Sequence, residues 1–262
     1  MTAAYTALVL AGSRGAVDPV ARAAGVAHKA LAVVAGRPML LRVLDALAAS
    51  PSVARVALAV DGRAIVDALP ELAAAVERGA VTLLPVAESP ALTVAGALSG
   101  LGAPFPLLVT TSDHALLTPA MVEAFLAGVP AGCDVAVGLA TRSALQRAHP
   151  ESIRTYFRLG GEGYSGCNLF AFARPEAERA VAFWVQMERH RKRPWRIAAR
   201  IGPGPLLRYA LGRLDLDGAF AALSRIAGVR GRAVVMPMPE AAIDVDKPSD
   251  LAQVERILAA RG

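Results

Sequence analysis

Three lysines stand against 25 arginines among the 28 basic residues of this chain, and two of the three sit where a compact cation could do chemistry. Lys29 follows an apolar run and a glycine-bearing loop, Ala7-Leu-Val-Leu-Ala-Gly-Ser-Arg-Gly15. Lys247 lies in Ile243-Asp-Val-Asp-Lys-Pro248. Lysine carries a point charge on a flexible stem, which suits neutralising a phosphate in a confined site, whereas the arginine fork is planar and larger. Backbone N–H groups of a loop that follows a strand can cradle phosphates as well, with Arg14 and Lys29 adding charge.

The carboxylates supply the complementary half. Asp113 follows an uncharged apolar run, Pro106–Thr111, within Ser112-Asp113-His114. A carboxylate there can hold Mg²⁺ on a triphosphate or cap the next turn. Asp244 and Asp246 alternate along an extended segment, so both can face one site. Two such acids are costly side by side without a cation, and the competing role is an N-cap for the helix after Pro248. The four histidines, His28, His114, His149 and His190, are never three to five residues apart, which argues against zinc. Cys133 and Cys167 show no Cys-x-x-Cys spacing, so free thiols in a reducing, cytoplasmic setting are expected.

The elements that must position these residues read as alternating strands and helices. Strands are predicted at Ala4–Leu10, Val53–Val60, Ala80–Leu84, Pro106–Thr111 and Asp134–Leu139. Helices are predicted at Pro38–Ala49, Arg63–Glu77 and Leu92–Leu101, with a fourth begun by Thr118-Pro119 as N-cap and first residue. That order argues for an α/β fold with a mostly parallel sheet covered on both faces. Later come two strands, Ile153–Leu159 and Tyr164–Phe172, joined through glycines, and a helix from Pro175 to about His190. Short helices follow across 191–231, then a strand at Ala233–Met238 and a closing helix at Ser249–Ala260. With 262 residues and no repeat or low-complexity linker, a single domain over 1–262 is expected. The N-terminus shows no basic region ahead of its apolar run, so no signal peptide is expected. The uncharged stretch Ser89–Ser112 is broken by prolines and glycines, unlike a membrane span.

Together these segments resemble the nucleotidyltransferases of the MobA-like superfamily, which have a three-layer, Rossmann-like fold of the GT-A type. The likeness runs through Leu8-Val-Leu-Ala-Gly12, Lys29-Ala-Leu-Ala-Val-Val-Ala-Gly-Arg-Pro-Met-Leu40, Thr111-Ser-Asp113 and Ile243-Asp-Val-Asp-Lys-Pro-Ser-Asp-Leu251, in that order. The resemblance implies transfer of a nucleoside monophosphate from a nucleoside triphosphate to a small phosphorylated acceptor, with release of pyrophosphate. It implies that Lys29, with Arg14, contacts the phosphates. Leu10, Ala11, Gly12, Ser13, Ser89, Thr93 and Ser112 then line the nucleotide. Asp113 and Asp246 bind Mg²⁺, with Mn²⁺ as an alternative. Ser165, Gly166 and Asn168 border the acceptor. The family loop reads Gly-Gly-x-Gly-x-Arg; here it is Gly12-Ser13-Arg14-Gly15, and a longer stretch brings Arg22 into play as a rival for the triphosphate. The segment Glu88–Thr93 corresponds to where relatives read the base, and it favours CTP over GTP. Among rivals, a short-chain dehydrogenase needs Tyr with Lys four residues on, but Val9, Gly160, Asn168 and Arg213 follow the four tyrosines at that spacing. A GT-A glycosyltransferase is the enzyme alternative, although Ser112-Asp113-His114 lacks an Asp-x-Asp.

The net charge of +6 is local. Between Arg189 and Arg213 the chain carries eight basic residues and no acidic one, leaving −2 for the remainder. A high isoelectric point from one segment does not imply nucleic acid, and none is expected as a partner. Residues 189–231 read as a basic helical insertion. Its 189–213 part, with Trp195 and Pro205-Leu206-Leu207, fits an element that steers anionic substrate, a peripheral membrane contact, or a solvated face.

Overall fold

The protein is described here by a computed structural model covering residues 4–13, 18–190 and 200–261. Its main sheet has eight strands. Seven follow the spatial order β10-β7-β9-β6-β1-β4-β5, where β1 is Tyr5–Ala11, β4 Val53–Val60, β5 Val81–Pro85, β6 Leu107–Thr111, β7 Val135–Thr141, β9 Glu162–Phe172 and β10 Gly231–Val235. The eighth, β8 (Phe157–Leu159), pairs with β9 through a two-residue turn. A separate hairpin, β2 (Val33–Val34) with β3 (Arg37–Pro38), lies in Lys29–Leu40.

The pairs β1–β4, β1–β6, β4–β5 and β7–β10 are parallel. β9 runs antiparallel between β6 and β7. The sheet is therefore mostly parallel, as the alternation of strand and helix patterns requires. Parallel strands covered on both faces must be apolar along their whole length, and β6 is buried at four of its five positions. Successive residues of one strand serve opposite faces. Val9 and Leu108 pack in one core with Leu40 and Phe125, whereas Leu8 and Leu107 pack in another with Val94 and Val181. The helices α2 (Met39–Ala48) and α6 (Pro119–Ala127) thus cover one face, and α5 (Pro90–Gly100) and α8 (Glu178–Arg189) cover the other, giving three layers.

Several details differ from the sequence pattern. The strand expected over Ile153–Leu159 is confined to Phe157–Leu159, and the one expected over Ala233–Met238 is Gly231–Val235. The helix expected over Arg63–Glu77 is two, α3 (Ala64–Asp67) and α4 (Pro70–Glu77). Proline pushes the preceding residue out of the helical region, and Leu69 stands at φ −125°, ψ 92°. Pro38 is the N-cap of α2 and not its first turn. The stretch between β1 and Lys29 contains a short helix, α1 (Pro19–Ala24), whose N-terminal amides on Val20 and Ala21 donate to Asp18 at 2.8 and 3.2 Å. The remaining helices are α7 (Arg142–Ala148), α9 (Pro203–Ala210), α10 (Leu216–Ala227) and α11 (Pro248–Arg261).

Candidate functional site

The site forms at the carboxyl ends of the strands, where ligands bind in open α/β sheets. Lys29 begins a single 3₁₀ turn, Lys29–Leu31, and His28 caps it by accepting the Ala30 amide on Nδ1 at 3.1 Å. That turn aims the lysine across the end of β1. Its Nζ donates to Asp113 Oδ2 at 2.5 Å and lies 3.5 Å from Asp246 Oδ1. Residues 84 and 217 positions away from Lys29 in sequence therefore converge on one ammonium. Burial pushes the lysine toward its neutral form, but Asp113, and behind it Asp246, outweigh that, and its pKa lies above the ordinary value.

Asp113 is held rather than mobile. Thr111 Oγ1 donates to its Oδ1, and its carbonyl accepts the Val245 amide at 3.1 Å. That backbone bond fastens the C-terminal segment to the end of β6. Neither Asp244 nor Asp246 is the helix cap. Asp250, in the first turn of α11, accepts the amides of Asp246 and Lys247 at 3.0 and 2.9 Å. An acid at the third helical position reaching back to the N-cap amide is one half of a capping box. The Asp246 carboxylate is left 62% exposed beside Lys29.

Asp244 is organised by residues the motifs did not single out. Arg154 Nη1 donates to its Oδ1 at 2.5 Å, and Nη2 donates to its carbonyl at 2.9 Å. Nη2 also lies 3.5 Å from Asp250 Oδ1. Asn168 Nδ2 donates to Asp244 Oδ2 at 2.8 Å. Burial, and then the charges of Asp113 and Asp246, still dominate, so the Asp244 carboxyl is pushed up to about 6. Asn168 itself stands at φ +49°, a conformation that non-glycine residues adopt at a cost. It sits in a bulge where the pairing of β9 jumps from Phe170–Val137 to Gly166–Leu139. Gly138 makes room, because a Cβ there would lie 3.1 Å from Leu169 Cβ.

The residues expected on the nucleotide side make the following contacts. Leu10 and Ala11 end β1, and a Cβ on Gly12 would meet Val86 at 3.1 Å, so the loop backbone approaches β5 closely. The Ser13 amide donates to the Asp61 carboxylate at the end of β4. His28 Nε2 lies 3.9 Å from that carboxylate. Burial lowers the His28 pKa, so a neutral ring is the favoured form. Ser89 caps α5, accepting the Leu92 amide at 3.3 Å. Thr93 is buried and holds the preceding loop, accepting the Ala87 amide at 2.9 Å and donating to the Ser89 carbonyl at 3.0 Å. Ser112 is buried, and its amide donates to the Leu10 carbonyl at 2.9 Å. Arg14 lies outside the described residues. Arg22 is exposed in the last turn of α1.

On the expected acceptor side, Gly166 is exposed while Ser165 is buried against the sheet. Arg154, Asp250 and Asp61 are the residues that sequence reasoning missed. Asp250 carried a readable signal, an acid two residues after a helix-opening proline. Arg154 carried none, because nothing in its flanks sets it apart from 24 other arginines. Among the described residues no helix is long and apolar enough to cross a membrane.

Comparison with known proteins agrees with this geometry. No curated protein sequence matches the chain. A hypothetical transferase from Thermus thermophilus is 30% identical, with a TM-score of 0.77 over 95% of this chain and 99% of that one. A CMP:2-keto-3-deoxy-manno-octonic acid synthetase complexed with CTP shares the fold at 17% identity and a TM-score of 0.57, covering 99% of this chain and 100% of that one. A 4-diphosphocytidyl-2C-methyl-D-erythritol synthase from Anaerococcus prevotii does so at 11% identity and 0.60, over 98% and 97%. The MobA-like NTP transferase domain matches residues 7–158. That span carries the glycine-bearing loop, Lys29 and Asp113, and the chain belongs to this nucleotidyltransferase family.

Proposed function

We propose that this enzyme is a Mg²⁺-dependent cytidylyltransferase, built as one domain over residues 1–262. It would transfer CMP from CTP to a small phosphorylated acceptor, such as a phospho-hydroxy acid or a sugar phosphate. The observation that carries the reading is the convergence of Asp113 and Asp246 on Lys29 Nζ, at 2.5 and 3.5 Å.

The donor set suits magnesium. Among the described residues no group of three or more His, Cys, Asp or Glu side chains is arranged to hold a metal by itself. Magnesium is commonly held by one or two carboxylates, with substrate phosphates and water completing the shell. Asp113 and Asp246 would hold it here, and it would neutralise charge developing on the triphosphate. Asp244, tied to Arg154 and Asn168, would keep Asp246 in place through the backbone they share.

The reaction is a displacement between anions. An oxygen of the acceptor phosphate attacks the α-phosphorus of CTP, and the bond from that phosphorus to the bridging oxygen breaks to release pyrophosphate. Lys29 would reach the triphosphate with a charge held on by its acidic neighbours. The Ala11–Ser13 backbone would donate to the nucleotide. Neither step requires a histidine or cysteine nucleophile; positioning and charge neutralisation supply the catalysis. CTP is favoured because the loop around Ser89 offers small hydroxyl and backbone groups, and because two of the fold neighbours are named for cytidylyl chemistry. Gly166, Ser165 and Asn168 would border the acceptor.

The test is pyrophosphate release from each of the four ribonucleoside triphosphates against a panel of phosphorylated hydroxy acids and sugar phosphates, with Mg²⁺ or Mn²⁺. CTP should give the highest kcat/KM. Preference for GTP would overturn the cytidylyl assignment, and no release with any pair would overturn the proposed reaction.

A further inference from the structure

The Ser13 amide, which the proposed reaction uses to hold phosphate, is already taken by an anion of the chain itself. Val60 pairs with Ala11 across β4 and β1, so Asp61 stands level with Gly12 at the carboxyl end of the sheet. Its Oδ2 accepts the Ser13 N–H, as a phosphate oxygen would at a loop that follows a strand. One N–H cannot serve a carboxylate and a phosphate together, and two anions held that close repel. The Asp61 side chain is 27% exposed, so it is open enough to turn.

His28 offers that carboxylate a second partner. The residue is 7% exposed. Its Nδ1 accepts the Ala30 amide at 3.1 Å, so Nδ1 carries no proton and the one N–H of the neutral ring is on Nε2. Nε2 is buried and has no hydrogen-bond partner among the described residues. It lies 3.9 Å from the same Asp61 Oδ2 that holds Ser13, about 1 Å beyond an ordinary hydrogen bond. Asp18, the other acid near the ring, is committed to the amides of Val20 and Ala21 at 2.8 and 3.2 Å. A buried donor without a partner is rare in a folded chain and calls for an explanation.

We infer that Asp61 is a positioning residue that sets triphosphate affinity as a latch: it holds the Ser13 amide until a triphosphate oxygen takes that N–H, and then turns to the Nε2–H of His28. The turn gives the buried donor its partner and moves a negative charge away from the arriving anion. A loop that is latched for part of the time binds its ligand more weakly by the fraction of time it is open. The same imidazole caps the turn that carries Lys29, so the two halves of the phosphate site are joined through one ring. The inference rests on the reading of the Ala11–Ser13 backbone as a phosphate donor, and not on which base the nucleotide carries.

Titration calorimetry of the full-length protein with inorganic tripolyphosphate and Mg²⁺ tests it, because that probe carries the anion without a base. Asp61→Ala should bind the probe about 10-fold more tightly than wild type, the worth of one hydrogen bond to a charged group. His28→Asn keeps an acceptor for the Ala30 amide but has nothing in the place of Nε2–H. It should weaken binding by about 5-fold in the wild-type background and change nothing in Asp61→Ala, since the two residues act as a pair. Binding by Asp61→Ala that is equal to or weaker than wild type would overturn the inference and make the carboxylate a support of the loop. So would an equal loss from His28→Asn in both backgrounds, which would confine the histidine to the Lys29 turn. No binding of the probe by either wild type or Asp61→Ala would overturn the inference and the proposed reaction together. Tighter binding by Asp61→Ala, with the paired response to His28→Asn but no pyrophosphate release from any nucleotide, would uphold the latch and overturn the reaction alone.

Discussion

Replacing Arg154 by alanine isolates the support beneath the carboxylate cluster, and its cost can be worked from the structure. Arg154 is 8% exposed, and its guanidinium grips Asp244 through side chain and carbonyl. With Arg154 present, the Asp244 carboxyl is pushed up to about 6 by burial and by Asp113 and Asp246. At pH 7 that carboxyl is one unit from taking a proton, worth about 1.4 kcal/mol. Without the arginine it takes the proton, which caps the charge component of the loss at about that figure. The lost hydrogen bonds and packing add roughly 1–3 kcal/mol. The total at pH 7 is then about 2–4 kcal/mol. Its pH dependence follows from the raised pKa. The folded state keeps the proton up to about pH 6, while the unfolded chain releases it near 3.8. Wild-type stability from this group therefore falls between those values and levels off above 6. In Arg154→Ala the carboxyl keeps its proton to higher pH, so the fall continues by about 1.4 kcal/mol per unit. Urea denaturation in chelator at pH 5.5, 7 and 8 should show a gap from wild type that widens with pH. In the background of Asp244→Asn the widening should vanish, because an amide does not titrate. A gap independent of pH, or one that widens equally in both backgrounds, would refute the reasoning.

Three further outcomes are expected. Asp113→Ala and Asp246→Ala should each lower kcat for pyrophosphate release by about 10³-fold or more, while circular dichroism stays native; near-normal turnover in either folded variant would remove the metal assignment. Lys29→Arg should lose most activity, because a planar guanidinium does not fit a slot where the ammonium sits 2.5 Å from Asp113 and 3.5 Å from Asp246; a fully active variant would show that diffuse charge suffices. His114 is 1% exposed, and burial holds its pKa down to about 4, from 6.5. The folded state refuses a proton that the unfolded chain accepts below 6.5, so stability should fall by about 3 kcal/mol between pH 6.5 and 4. His114→Gln should flatten that acid limb in a denaturation series, and an unchanged limb would count against it.

What the sequence disclosed, and what it hid, divide along a physical line. Strands β1 and β6 and the second half of β4, Ala57–Val60, were readable because burial on both faces demands an uncharged, largely apolar run, a local property of the chain. Asp113 was readable for the same reason, as the charge at the end of such a run. The pair Asp244 and Asp246 was readable from alternation, but their division of labour was not. Both extend from one segment, yet Asp246 meets Lys29 while Asp244 meets Arg154 and Asn168. That difference is set by which element arrives opposite each acid, the 3₁₀ turn with Lys29 at one and the chain before β8 with β9 at the other, a property of the topology. β9 enters the sheet antiparallel between β6 and β7, and nothing local to Glu162–Phe172 announces the insertion.

Asn168 has a structural role that local reading did not give it. The motif marks it as an acceptor contact; one N–H of Nδ2 is given to Asp244 at 2.8 Å, which leaves the second N–H and the amide oxygen for a ligand. Its φ of +49° is a cost of order 1–3 kcal/mol for a residue with a Cβ. Glycine at this position would relieve that strain but would lose the hydrogen bond to Asp244. A strained asparagine stands where its side chain does what glycine cannot: it holds the half-buried Asp244, whose pKa is raised, beside the pair that faces Lys29. The bulge that creates this geometry needs Gly138 on the opposite strand, 30 residues earlier. The site is thus written in two registers. The residues that would touch phosphate and metal announce themselves by type and place in a strand, while those that would aim them depend on pairings that exist only once the sheet has formed.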